Sequence, residues 1–205
     1  MNDYHFITEW RVEGTAGEVA DVLGDPVALA RWWPAVYLDV EEIEPPNASG
    51  LGRRVRLLTK GWLPYTLRWD FVVTESRYPF GLTIEALGDF VGRGVWTFAQ
   101  EGPIVRITYD WRIRAEKRLL KTLSPLLRPI FEGNHRWAMA QGETSLKLEL
   151  ARRRAASESA RAAIPAPPGP VTYAALALVG GAAAIGATLG YLILRARRRS
   201  SYRPT

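Results

Sequence analysis

The side chain in this sequence best suited to moving protons is His135. An imidazole titrates near neutral pH, so it can act as a general acid or a general base. The spacing of Phe131 and Ala138 around it predicts a helix that turns this face toward a sheet. Tyr65 and Tyr109 fall on the apolar faces of predicted strands, where a tyrosine hydroxyl could stabilise the enolate of a bound substrate. The alternative for His135 is a core histidine bonded to a backbone carbonyl.

Large aromatic residues recur at every second position of several predicted strands, which places them on one face of a sheet. If this face packs against a helix that carries small residues, the many rings would leave a cavity for a flat or hydrophobic ligand. The predicted lining consists of Trp10, Trp32, Trp33, Tyr65, Trp69, Phe71, Trp96, Phe98, Trp111, Phe131 and Gly142, with Tyr109 and His135 as the candidate catalytic residues. The alternative is a solid core, because aromatic side chains bury well and dominate core packing.

Composition excludes several other kinds of site. The chain has no cysteine and two histidines, so it cannot form disulfides, thiolate nucleophiles or cysteine-built metal centres, and a histidine-rich metal site is not expected. The sequence also lacks a catalytic triad pattern, HExxH and a P-loop. We therefore predict no metal and no cofactor. The sequence has a basic run of Arg53, Arg54, Arg56 and Lys60, which is predicted to be a solvated or membrane-facing surface. Since only alternate members share a face, at most two could point inward to hold an enolate or a carboxylate.

Short elements of clear pattern would hold these residues in place. Residues 4–12 alternate as a strand, and Thr15 with Glu18 forms a capping box that opens a short helix. A second short helix, Val27 to Trp33, ends at a proline. Further stretches of period two are predicted at about 36–43, 53–60, 64–77, 80–87, 91–100 and 103–115.

A long helix closes the domain. It is predicted from about Leu126 to Arg153, with Pro125 and Pro129 in its lead-in or first turn. Its apolar face would cover one side of the antiparallel sheet. The predicted fold is therefore α+β, with six to seven curved antiparallel strands around one long C-terminal helix.

The order of these elements, with DPVALARWWP at 25–34 after the first short helix, resembles the START-like or SRPBCC (helix-grip) superfamily. The resemblance is greatest to its polyketide cyclase/dehydrase-like branch and covers roughly residues 4–150. It implies a cavity between sheet and long helix that binds a hydrophobic small molecule or a lipid. The superfamily has no invariant catalytic signature, so the resemblance implies no particular catalytic residue.

The basic charge of the chain lies outside this domain. The net charge is +6, but the residues after 150 carry nine arginines and a single acid, Glu158. A nucleic-acid-binding protein carries its basic stripe on the folded domain. We therefore predict no nucleic-acid partner.

The C-terminal region predicts a membrane anchor. Residues 171–194 form an uncharged run of 24 residues, long enough to cross a hydrocarbon core of about 30 Å, and an arginine cluster follows. Tyr173 and Tyr191 lie near its ends, where aromatic residues favour the membrane interface. A buried Ala/Gly-rich helix is the alternative, but the run lacks a polar stripe. The predicted organisation is a START-like domain at 1–153, a Pro/Ala-rich linker at 154–170, a transmembrane helix at 171–194 and a basic tail at 195–205.

The topology of this anchor follows from its position. The N-terminus shows no signal sequence, so we expect a single-pass C-terminal anchor with the domain on the cytoplasmic side. Arginines flank both ends of the run, so the positive-inside rule does not decide the orientation. Gly186 and Gly190 would permit close packing of two copies of the span, as in a homodimer.

Three functions remain open from the sequence. The first is a membrane-tethered protein that binds a hydrophobic small molecule or lipid. The second is a polyketide cyclase/dehydrase-type enzyme that uses the same cavity. The third is a membrane-anchored interaction module without a ligand.

Overall fold

A computed structural model describes residues 3–116 and 118–172, with only the backbone of 118–127. This part of the chain contains seven strands and four helices. The strands are β1 Asp3–Glu13, β2 Tyr37–Glu44, β3 Arg54–Lys60, β4 Thr66–Ser76, β5 Gly81–Gly88, β6 Phe90–Glu101 and β7 Ile104–Ala115. The helices are α1 Ala16–Leu23, α2 Leu29–Trp32, α3 Arg118–Arg154 and α4 Glu158–Ala162, with a 3-10 turn at Pro26–Ala28 before α2.

Alternation along each strand produces a sheet with one apolar face. In β1 the side chains of Tyr4, Trp10 and Val12 are buried, while their odd-numbered neighbours are exposed. β7 likewise buries every second residue, among them Tyr109 and Trp111. The predicted strand faces are confirmed, because a pleated strand turns successive side chains to opposite sides.

The strands form a single antiparallel sheet in the order β1-β7-β6-β5-β4-β3-β2. β1 pairs with β7 along its whole length, from Asp3 opposite Arg114 to Glu13 opposite Ile104. Register shifts interrupt β2 and the pairing of β4 with β5. Such irregularities bend a strand, and the sheet is curved. The α+β helix-grip prediction is confirmed for the described residues.

The short helices follow their local signals. Thr15 Oγ1 accepts from the Glu18 amide at 3.2 Å, and a Glu18 carboxylate oxygen accepts from the Thr15 amide at 2.8 Å. This is the predicted capping box. The predicted second helix is divided into the 3-10 turn and α2, which ends at Trp32.

The long helix begins earlier than predicted. α3 starts at Arg118 rather than near Leu126, so Pro125 and Pro129 lie inside it. A proline removes one backbone donor and need not end a helix where the freed carbonyl can be solvated. Pro129 is exposed. Farther along, Met139, Leu146 and Leu150 are buried against the sheet.

The C-terminal predictions lie largely outside the described residues. The anchor from residue 173 onward, the basic tail, and the dimer positions Gly186 and Gly190 are all in this part. Within the described ranges, no helix is long and apolar enough to cross a membrane. The predicted linker contains α4, which is capped by Ser157, whose Oγ accepts from the Ala160 amide at 3.1 Å.

Candidate functional site

A cavity of about 140 Å³ lies between the sheet and α3, and we call it the helix cavity. Strands β1, β3, β4 and β7 form its floor, while α3 lies across it. The residues that line it are Tyr4, Phe6, Trp33, Val36, Tyr37, Thr59, Lys60, Gly61, Tyr65, Leu67, Trp69, Phe90, Tyr109, Trp111, Ile113, Ala115, Phe131, Asn134, His135, Ala138 and Met139. Most of this surface is aromatic or aliphatic.

His135 contributes a neutral polar group to the helix cavity. Its imidazole stacks on Phe6, with ring centroids 4.0 Å apart, and its Nε2 lies 3.5 Å from Thr8 Oγ1. Burial, aided by the charge of Arg136, lowers the pKa of His135 to about 4. At neutral pH the ring is therefore uncharged and carries one N–H donor and one acceptor nitrogen.

Four tyrosines add hydroxyl groups to the same walls. Burial raises the pKa of Tyr109 well above its ordinary value, and the nearby Tyr37 raises it further. Burial also raises the pKa of Tyr37, and burial together with Tyr4 raises the pKa of Tyr65 to about 12. The hydroxyls of Tyr37, Tyr65 and Tyr109 therefore stay protonated, so they can donate hydrogen bonds to a ligand but cannot act as bases.

Cross-strand register places aromatic rings side by side on the inner face of the sheet. Trp96 of β6 lies opposite Tyr109 of β7, and their rings stack with centroids 3.9 Å apart. Tyr109 in turn stacks with Trp111 at 5.5 Å. Gly94, opposite Trp111, is required here because a Cβ atom would lie 2.6 Å from the Tyr109 hydroxyl oxygen and 2.8 Å from the Trp111 ring.

Asn134 ties the β3–β4 loop to α3 at one edge of the helix cavity. Its Oδ1 accepts from the backbone amides of Trp62 at 2.9 Å and Leu63 at 3.3 Å. A Cβ atom at Gly61 would overlap the Asn134 amide, so the close approach depends on a glycine. Asn134 was not identified from the sequence, because its partners lie about 70 positions away in the chain.

The predicted site residues divide into three groups. Seven of them line the helix cavity: Trp33, Tyr65, Trp69, Tyr109, Trp111, Phe131 and His135. Two more, Phe71 and Trp96, line a second cavity and not the helix cavity. The third group is packed in the core and lines neither cavity: Trp10, Trp32, Phe98 and Gly142. Gly142 leaves room for the Trp33 indole, because a Cβ atom at position 142 would overlap that ring.

Several lining residues were missed for identifiable reasons. Tyr4, Phe6 and Ile113 continue the alternation that identified Trp10 and Trp111, so the same signal could have found them. Tyr37 and Phe90 are each the first residue of a strand, next to a loop. At such a position the alternation along the strand does not show to which face of the sheet a side chain points. In the part of the chain with described side chains, no three His, Asp or Glu residues are grouped to hold a metal ion.

The predicted basic run is divided between the outer surface and the cavities. Arg54 and Arg56 pair with Asp70, at 2.8 and 3.2 Å, on the solvent side of the sheet. Lys60 lines the helix cavity, and Arg53 lines the second cavity.

Comparison with known proteins supports the fold. No protein-family model matches the sequence, and no curated protein matches it. Among solved structures, the Zhui aromatase/cyclase from Streptomyces sp. R1128 has a TM-score of 0.59 at 18% identity, covering 76% of this chain and 98% of that one. A protein of Thermus thermophilus has a TM-score of 0.58 at 15% identity, covering 74% of this chain and 99% of that one.

A START superfamily protein from Mycobacterium smegmatis has a TM-score of 0.53 at 13% identity, covering 71% of this chain and 96% of that one. At these identities the likeness concerns the fold. The chain has the START-like helix-grip fold, and the resemblance predicted from its sequence is confirmed at that level.

Proposed function

We propose that this protein binds a small hydrophobic molecule in the helix cavity. The observation that carries the proposal is a space of about 140 Å³ whose walls are mainly aromatic and aliphatic and whose polar groups include the neutral His135 and protonated tyrosines. Ligand pockets combine apolar walls with a few placed polar groups in this way. START superfamily and aromatase/cyclase proteins share the fold, which adds support from analogy.

The volume favours a small ligand over a lipid. A cavity of roughly 150 Å³ holds benzene, so the helix cavity has room for about one aromatic ring. A phospholipid would require the sheet and α3 to separate considerably. We therefore propose a ligand of one ring, with a hydroxyl or carbonyl group that bonds to Tyr109 or His135.

The cyclase/dehydrase alternative has weaker support. A general base works best when its pKa lies near the working pH, and burial holds the pKa of His135 at about 4. The Tyr109 hydroxyl remains protonated and cannot replace it as a base. Ligand binding accounts for the same geometry without a proton-transfer step.

The test is phenol binding to the full chain in lipid nanodiscs, measured by calorimetry. Ala138→Leu fills part of the helix cavity and should weaken phenol binding about tenfold, because the added side chain takes the ligand's place. Ala140→Leu is the matched control, since Ala140 is exposed on the same helix. Equal affinities in the two variants would contradict the proposal.

We also propose that the domain is tethered to a membrane through residues 171–194, with the domain in the cytoplasm. The uncharged run of 24 residues, with arginines after it, supports the membrane span itself. A tether would keep the helix cavity close to membrane-dissolved hydrophobic ligands.

A further inference from the structure

A second cavity of about 260 Å³ lies beyond one wall of the helix cavity, and we call it the loop cavity. The connection from α1 to α2 and the β2–β3 loop contribute to its walls, together with the inner faces of β4, β5 and β6. Its lining is mainly apolar and includes Phe71, Val73, Leu82 and Trp96, together with Arg53. Four residues line both cavities and therefore lie between them: Trp33, Tyr37, Trp69 and Tyr109.

Arg53 is the one charged side chain among the described residues that line the loop cavity. Its Nε donates to a Glu42 carboxylate oxygen at 2.5 Å, and its Nη1 donates to the Gly24 carbonyl at 3.3 Å. Only 21% of the side chain is exposed. These two contacts hold the guanidinium between the α1–α2 connection and β2, so it is in position before any ligand arrives.

The remaining nitrogen of Arg53, beside the Nε that pairs with Glu42, is the candidate donor to an anion in the loop cavity. Nη2 donates to no residue in the described part of the chain. A guanidinium presents its donors as a planar fork, so Nε can keep donating to Glu42 while Nη2 donates to a second carboxylate. The apolar walls would bury the rest of such a molecule, with a favourable transfer of its surface out of water.

We infer that the loop cavity binds a small amphipathic carboxylic acid whose carboxylate pairs with Arg53 and whose apolar body lies against Phe71 and Leu82. Among the described residues of its lining, the helix cavity has Lys60 and no arginine, so an acid bound there would not depend on Arg53. At about 260 Å³, the loop cavity accommodates an aromatic ring with a short chain, since a cavity of roughly 150 Å³ already holds benzene.

The experiment compares 3-phenylpropionate with 3-phenylpropanol, which share an apolar body and differ in charge. Both are titrated by calorimetry into the full chain in lipid nanodiscs, with empty nanodiscs as the blank. We expect the acid to bind about tenfold more tightly than the alcohol, as one charge-assisted hydrogen bond provides. Arg53→Gln should abolish this preference, whereas Arg56→Gln, which removes the same charge outside the loop cavity, should keep it.

The preference for the acid is the decisive quantity, because a merely structural loss at Arg53 would weaken both probes equally. Val73→Phe, which fills the loop cavity from its wall, should weaken both, while Ala138→Leu in the helix cavity should weaken neither. Equal affinity for acid and alcohol, a preference that survives Arg53→Gln, or no binding of either probe would overturn the inference. Loss of acid binding in Ala138→Leu would place the acid in the helix cavity and overturn it as well.

Discussion

Burial of His135 against Phe6 makes the stability of the domain depend on pH. The pKa of His135 is about 4 in the folded protein and about 6.5 in the unfolded chain. Between these values the unfolded state binds more protons, so the free energy of unfolding falls as the pH falls. From pH 7 to pH 5 we expect a loss of about 2 kcal/mol through this group.

Urea unfolding at the two pH values measures this loss. His135→Phe keeps a ring on Phe6 but cannot titrate, so it should reduce the difference between pH 7 and pH 5 by about 2 kcal/mol. His5→Phe is the control, because His5 is exposed on the outer face of β1. An unchanged pH dependence in His135→Phe would show that the imidazole is solvated in the folded protein.

At the scale of elements, Glu149 attaches the C-terminal half of α3 to α2. It is 2% exposed, its carboxylate accepts two hydrogen bonds from Arg31, at 2.9 and 3.0 Å, and one from Arg153 at 3.0 Å. Burial alone would raise the pKa of Glu149, but the hydrogen bonds from Arg31 and Arg153 outweigh it and lower the pKa. The carboxylate therefore stays charged and holds α3 against α2.

Glu149→Gln should lower the free energy of unfolding by about 2–3 kcal/mol, since it removes the charge from a buried, fully paired group. Both arginines are partly exposed, which keeps the cost below that of breaking a pair with two buried partners. Glu132→Gln, in the exposed pair with Arg128 on the same helix, should cost less than about 0.5 kcal/mol. Similar losses in both variants, measured by urea unfolding, would contradict the role given to Glu149.

For the whole molecule, the proposed anchor would place the protein at a membrane. We expect the full chain to sediment with membranes and to resist extraction by alkaline carbonate, because 24 uncharged residues partition into the bilayer. Residues 1–170 alone should remain in the supernatant. Full chain in the supernatant before extraction would contradict the tether and leave the proposal for the helix cavity unaffected.

What the sequence alone determined is local. Period-two alternation located all seven strands, and the Thr15–Glu18 capping box located the start of α1, because both signals depend on residues a few positions apart. The same alternation selected most of the predicted residues that line the helix cavity. It could not separate Trp69, at a cavity wall, from Trp10 in the solid core, since both are buried on the same face of the sheet.

Only the tertiary structure decided which buried residues face a cavity. Asn134 contacts the amide of Trp62, 72 positions away, and Arg53 reaches the Gly24 carbonyl, 29 positions away. Such pairs depend on how α3 and the loops pack against a curved sheet, which no short-range pattern encodes. Strand faces therefore follow from the pleat of the backbone, whereas the two cavities and their polar groups exist only where separate elements meet.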